Sequence, residues 1–219
     1  MKNYKVIMMM LFFANYCLAQ EDAKNSNKRI SSSVYLAYNS SVIYPGLRAG
    51  VQLPVKRVYV EKFNKNGVQK NFTKDRFLTV NFGWYDHQNF HDNLYFTAGY
   101  TFRRTKSSGF FTEFSPEIGY SRTFLGGVTY QVDDNGTVSK SNDLGYSHGI
   151  LSVGGGVGYD FSVKKSKPIL LYYKLNLLTM YPYNSTFYMR PAMEIGIVYK
   201  FSNFLKFNTR IKHIKKVKS

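Results

Sequence analysis

Glu194-Ile195-Gly196-Ile197-Val198-Tyr199-Lys200-Phe201 alternates apolar and other residues and closes on an aromatic ring. Successive side chains of a strand point to opposite faces, so this spacing puts Ile195, Ile197 and Tyr199 on one face and Glu194, Gly196 and Lys200 on the other. A strand that is apolar on one side and charged on the other needs two different surroundings.

Working back from it, period two recurs almost everywhere, and no segment carries a convincing helical period. The alternation predicts eight strands at about Ser33–Tyr44, Gly46–Val60, Lys74–Tyr85, Asn93–Arg104, Phe110–Phe124, Gly149–Phe161, Pro168–Met180 and Arg190–Phe201. Leu47, Ala49, Val51, Leu53 and Val55 oppose Arg48, Gly50, Gln52 and Lys56. Leu78, Val80, Phe82 and Trp84 oppose Thr79, Asn81 and Gly83, and Leu94, Phe96, Ala98, Tyr100 and Phe102 oppose Tyr95, Thr97, Gly99, Thr101 and Arg103. Each strand is near or above the roughly 9–11 residues that a tilted membrane-spanning strand needs. The fold expected is all-β, an antiparallel up-and-down transmembrane barrel of eight strands over residues 33–201.

Composition agrees with a membrane barrel. Of 219 residues, 19 are Tyr and 18 are Phe, and aromatic rings settle at both interfaces of such barrels. The chain opens like a secretory signal peptide over residues 1–19, with Lys2 and Lys5 before the apolar run Val6–Ala14 and with Cys17-Leu18-Ala19 placing cleavage near Ala19-Gln20. That run is too short to span about 30 Å of hydrocarbon. Cleavage removes Cys17, the single cysteine, which excludes disulfides, thiol nucleophiles and thiolate zinc sites from the mature chain. Residues 20–32 read as a polar, mobile leader.

With the apolar sets outward, the inward sets carry Arg48, Arg103, Lys174 and Lys200 against Glu113, Glu117, Asp160 and Glu194. Charges held inside a narrow lumen must be paired, and this set balances. A soluble ligand-binding barrel would show the reverse facing, and a one-residue slip would invert the assignment.

Connection lengths set the orientation. With both ends in the periplasm, Lys106–Gly109 and Ser162–Lys167 become short turns, and Asp86–Asp92, Leu125–His148 and Tyr181–Met189 become outer loops. Pro45-Gly46 is then a very short outer loop and Glu61–Thr73 a long periplasmic turn, against the usual preference. Inside Leu125–His148, Asn135-Gly136 predicts a tight hairpin that projects beyond the membrane.

The chain resembles small outer-membrane β-barrel proteins of the Bacteroidetes type. The resemblance covers about Ile43–Phe201 and rests on Tyr44-Pro45-Gly46, Tyr85-x-His87, Phe102-Arg103-Arg104-Thr105 and the closing strand. Gly196, Tyr199 and Phe201 resemble the signal that barrel assembly machinery reads on a last strand. The resemblance implies location and fold, with no settled activity to transfer. The chain departs from it by running on for 18 residues past Phe201. Residues 202–219 carry Lys206, Arg210, Lys212, Lys215, Lys216 and Lys218 with no acid between them, part of a formal charge of +17. This basic tail is expected against outer-membrane lipid, and export speaks against nucleic acid. Leu205, Phe207, Thr209 and Ile211 also alternate, so the last paired strand can fall there instead.

Chemistry is sparse. Asp86, His87, His91 and Asp92 lie in one loop and could hold a divalent cation, or be incidental polar residues. Gly154-Gly155-Gly156-x-Gly158 lacks the Lys-Ser/Thr of a phosphate loop, and strand glycines more often admit bulky neighbours. Ser147 and His148 are adjacent, so on a strand their side chains point apart. The expected role is a monomeric barrel with a filled lumen, no cofactor, and a structural or surface-recognition task. A narrow pore for small solutes and a lipid-modifying enzyme are the rivals.

Overall fold

Alternation becomes pairing along almost the whole chain. The computed structural model describes residues 27–41, 44–63, 69–87, 91–126, 130–140, 145–183, 186–201 and 206–217. Their strands are β1 (Asn27–Ser31), β2 (Ser33–Ser40), β3 (Gly46–Phe63), β4 (Gln69–His87), β5 (His91–Lys106), β6 (Phe110–Leu125), β7 (Tyr130–Val132), β8 (Val138–Lys140), β9 (Ser147–Asp160), β10 (Ile169–Tyr183), β11 (Thr186–Lys200) and β12 (Lys206–Val217). One short helix, α1 (Ser162–Lys165), makes the turn between β9 and β10 and ends at Ser166 in the left-handed region.

Eight of the strands close a ring, in the order β2, β3, β4, β5, β6, β9, β10, β11 and back to β2. Every pair in the ring is antiparallel. Closure comes from β11 on β2, with Lys200 opposite Ser33 and Met193 opposite Ser40, so no ring strand keeps a bare edge. The fold is an antiparallel up-and-down barrel of eight strands.

The faces divide as the spacing predicts. Along Glu194–Phe201, Ile195 is 62% exposed and Ile197 43%, whereas Glu194 and Val198 are fully buried. The same holds round the barrel. Leu36, Phe82, Phe96, Phe114, Leu151 and Leu175 stand on the outside, and Arg48, Asn81, Thr97, Glu117, Lys174 and Glu194 are buried inside. An apolar outside around a polar inside is the inverse of a soluble barrel.

Lumen aromatics are seated on glycines of the neighbouring strand. Tyr95 is paired with Gly83 and Tyr172 with Gly196. A Cβ on Gly83 would meet the Tyr95 ring at 2.1 Å, and one on Gly196 the Tyr172 ring at 2.6 Å. Gly154 and Gly156 open space in the same way for Asn176 and Lys174. The run of glycines is therefore a packing device.

Three expectations about the ends are corrected. The segment Glu61–Thr73 is not one long turn: β3 and β4 stay paired down to Phe63 opposite Gln69. The leader of residues 20–32 contains β1, and the tail of residues 202–219 contains β12. β12 runs parallel to the lower half of β3, from Arg210 opposite Lys56 to Val217 opposite Phe63, and β1 pairs antiparallel with β12. The cause is an open edge. β2 begins at Ser33 opposite Gln52, so β3 outruns it by eleven residues, 53–63. β12 takes the vacated place beside β3, satisfying groups that the shorter strand leaves unpaired. Residues 1–26, with the expected signal peptide, lie outside the described residues.

A further correction concerns phase. A bulge between Pro54 and Lys56 shifts β3 by one residue, so Arg57, and not Lys56, reaches the lumen and meets Asp75. At the opposite end, Tyr130–Val132 and Val138–Lys140 form a small separate hairpin. Its turn is tied by Asp133, whose carboxylate accepts from the amides of Asn135 (3.2 Å) and Thr137 (2.7 Å), and Gly136 takes a φ of +79°.

Candidate functional site

The barrel interior is stacked in layers, from the end that holds the termini to the end that holds the long loops. At the termini end, Arg57 Nε is 2.6 Å from Asp75, and Lys200 Nζ is 2.5 Å from Asp160. They line a polar cavity of about 380 Å³ together with Arg103 and Phe201. One layer in, Glu113 is held by Arg103 (2.8 Å) and Lys174 (2.9 Å), and the Arg103 guanidinium lies between the rings of Phe77 and Phe111.

The middle layer is the densest. Arg48 reaches Glu117 at 2.5 Å and Glu194 at 3.0 Å. Glu194 also accepts from the Tyr172 hydroxyl (2.6 Å) and the Asn176 amide (2.8 Å), and Glu117 from the Thr97 hydroxyl (2.9 Å). Tyr35 donates to Asn81 in the same layer. A low-dielectric lumen makes such bonds strong and an unpaired member costly.

All eight charges that the sequence placed inside, Arg48, Arg103, Lys174, Lys200, Glu113, Glu117, Asp160 and Glu194, are brought into ion pairs. Arg57 is missed by strict period two because of the bulge in β3, whereas Asp75 shares the inward face of Thr79 and Asn81 and lies in phase with them. Arg190 escaped as well, although it sits four residues before Glu194 and so shares its face.

Above the middle layer the lumen turns apolar and aromatic. Tyr85, Tyr95, Ile150, Leu178, Met180 and Ala192 pack together, with Tyr44 and Tyr188 against them. Arg190 is buried in this layer at 1% exposure, its guanidinium 3.6 Å from the centroid of the Tyr85 ring. The tip of the β4–β5 hairpin rises beyond, where the His87 and His91 rings meet at 4.7 Å and His87 lies 4.2 Å from Tyr44.

The expected cation site at that tip is not formed. His87 is paired directly opposite His91, and Asp86 opposite Asp92. Period two therefore sends the two imidazoles to one face and the two carboxylates to the other. Among the described residues no group of three or more His, Cys, Asp or Glu side chains could hold a metal ion. His91 is held below the ordinary histidine range, first by burial and then by its neighbour His87, with Asp92 pulling the other way.

Ser147 and His148 take opposite faces. The Ser147 hydroxyl bonds Tyr120 and Arg122 outside, and His148 Nδ1 lies 2.6 Å from the Pro182 carbonyl oxygen inside. Phe201 follows β11, its amide donating to the Ser32 carbonyl and its ring edge-on to Tyr199.

No family model matches this chain, and no curated protein matches it. Among solved structures it is similar to Neisserial surface protein A (NspA), at 13% identity over 80% of this chain and 99% of that one, with a TM-score of 0.40. It is also similar to Ail, the attachment invasion locus protein of Yersinia pestis, at 10% identity over 79% and 97%, with a TM-score of 0.36. The NanC porin gives 9% identity over 78% and 100%, with a TM-score of 0.18. Scores under 0.5 carry no argument about function, which rests on this chain's own residues.

Proposed function

We propose that this protein is a monomeric outer-membrane β-barrel, exported on residues 1–19 and cleaved near Ala19-Gln20, that anchors a surface-presented loop. The observation that carries this reading is the facing of the barrel: a closed ring with apolar side chains outside and paired charges inside. A bilayer satisfies the first and supplies no water to a bare strand edge, which the ring does not have.

The Tyr130–Lys140 hairpin is the part offered for recognition. Tyr130, Val132 and Val138 are each more than 60% exposed on it. A steady pore is disfavoured by the six charged contacts packed in the lumen. Gly196, Tyr199 and Phe201 serve the assembly machinery on the closing strand.

Outer-membrane lipid is the partner of the basic skirt below the ring. Lys56 faces Arg76 on one side and Arg210 on the other, Lys74 faces Arg104, and Lys62 faces Lys70. Like charges directly opposite destabilise a sheet, and lipid phosphate is the natural counter-charge. Each base near an anionic leaflet contributes about 1 kcal/mol within a Debye length of ~8 Å. Phe72, Phe102 and Phe110 sit under Arg104, Arg76 and Lys106, as interfacial rings do.

The test is fractionation of cells expressing the full chain, with heat-modifiable migration on a gel and conductance in planar bilayers. Recovery with outer membranes, a heat-dependent mobility shift and no steady conductance are expected. A protein that fractionates without detergent, or a stable unitary conductance, overturns the reading.

A further inference from the structure

The lumen ledger leaves one charge over. Among the described residues six bases face inward, Arg48, Arg57, Arg103, Lys174, Lys200 and Arg190, against five acids, Asp75, Glu113, Glu117, Asp160 and Glu194. Five bases contact the five acids. Arg190 contacts none, and its Nε, Nη1 and Nη2 have no hydrogen-bond partner.

This is costly as it stands. A buried guanidinium brings five donors and a full charge, and taking it out of water costs several kcal/mol after relaxation. The Tyr85 face beneath it returns only part of that cost, since a ring face offers no hydrogen-bond acceptor equal to a carboxylate. The arginines deeper in the lumen are each matched to a carboxylate, so the sequence supplies partners where the site is closed.

We propose that Arg190 is the anchor of a binding site in the loop-end mouth of the barrel for a small ligand bearing one carboxylate. The planar fork of the guanidinium fits a carboxylate with two parallel hydrogen bonds. Leu178 lies opposite Arg190 on β10, and Tyr85, Tyr95, Ile150 and Met180 belong to the apolar cluster at this end of the lumen, with Met180 toward the loops. These surfaces take an apolar or aromatic body and offer little to a heavily hydrated dianion, and one uncompensated positive charge matches one negative charge. Access is from the rim, where Tyr44, His87, His91 and Tyr188 are only half-buried. This inference rests on the barrel reading for the closed lumen, and it does not need the membrane assignment.

Benzoate, acetate and inorganic phosphate are the probes, titrated into the full chain folded in detergent micelles. The Arg190 Nε–Hε resonance reports binding. A saturable shift with benzoate is expected, weaker with acetate and absent with phosphate. Arg190→Gln should lower the benzoate affinity on the order of 10- to 100-fold, the worth of lost charge-assisted bonds. Arg190→Lys should bind at an intermediate level, since an ammonium keeps the charge and loses the fork. Bound benzoate should also raise the His91 titration midpoint, because it cancels the Arg190 charge that, with burial and His87, opposes protonation there, while Asp92 and Asp86 favour it. Heat-modifiable migration checks that each variant is folded, so a failure of the barrel is separable from a failure of the site. The absence of a saturable benzoate shift, equal binding by Arg190→Gln, or tighter binding of phosphate than of benzoate overturns the proposal. A large loss of stability in Arg190→Met also overturns it, by showing that the charge is already satisfied within the protein.

Discussion

Replacing Arg48 with Met tests the lumen most directly. Arg48 is 1% exposed and bridges Glu117 and Glu194, which are 5% and 0% exposed. Methionine roughly fills the volume of the stem and removes the charge. Two carboxylates then share a dry space with no cation between them, and breaking a buried pair in this way costs about 3–5 kcal/mol. The remaining donors, Thr97 to Glu117 and Tyr172 and Asn176 to Glu194, bond the carboxylates without neutralising them. The loss should show in urea unfolding in lipid vesicles, read by heat-modifiable migration, as a fall of roughly two to three and a half decades in the folding constant. Adding Glu117→Gln and Glu194→Gln to Arg48→Met should restore most of it, because no charge is stranded: the residue 117 amide oxygen keeps Thr97, and at residue 194 the amide oxygen keeps Asn176 while its NH2 donates to the Tyr172 hydroxyl oxygen. A loss below about 1 kcal/mol for Arg48→Met would mean that the lumen is wet at this level. A triple variant no more stable than the single one would mean that shape, and not charge, is what Arg48 supplies.

Three further outcomes follow from the facing and the ends. Val80 and Ala98 are paired with each other on the outer face, so Val80→Arg or Ala98→Arg should cost roughly 2–4 kcal/mol in the same unfolding assay if that level lies near mid-membrane; a neutral result would invert the facing. Gly196→Ala places a Cβ 2.6 Å from the Tyr172 ring, which cannot swing away without releasing Glu194, so it should lower folded yield in the membrane more than Gly155→Ala, where a Cβ meets nothing within 4 Å. Deleting Asn203–Ser219 should leave a heat-modifiable barrel, since β12 lies outside the ring, while exposing the extended ends of β3 and β4 to protease; loss of the mobility shift would make β12 part of the folding unit.

The sequence by itself determined the barrel. Period two is a local property of a strand, so Ile195 against Glu194 and Phe96 against Thr97 could be assigned to faces with no knowledge of their neighbours, and the eight paired charges came with that assignment. Asn135-Gly136 marked its hairpin for the same reason, because a turn is decided within four residues. What the sequence did not determine depends on residues far apart in the chain. The bulge at Pro54–Lys56 is visible only against the β4 register, and it put Arg57 where strict alternation puts Lys56. The tail became a strand because β2 is shorter than β3 and leaves an edge beside Lys56–Phe63, which no stretch of residues 202–219 encodes alone. Asp86, His87, His91 and Asp92 are close in sequence, yet the hairpin register sends them to opposite faces. Arg190 differs from Arg48 only in what the other strands bring to it. Three-dimensional packing gave one guanidinium two carboxylates and the other an aromatic ring, and that difference is what turns a lumen residue into a candidate site.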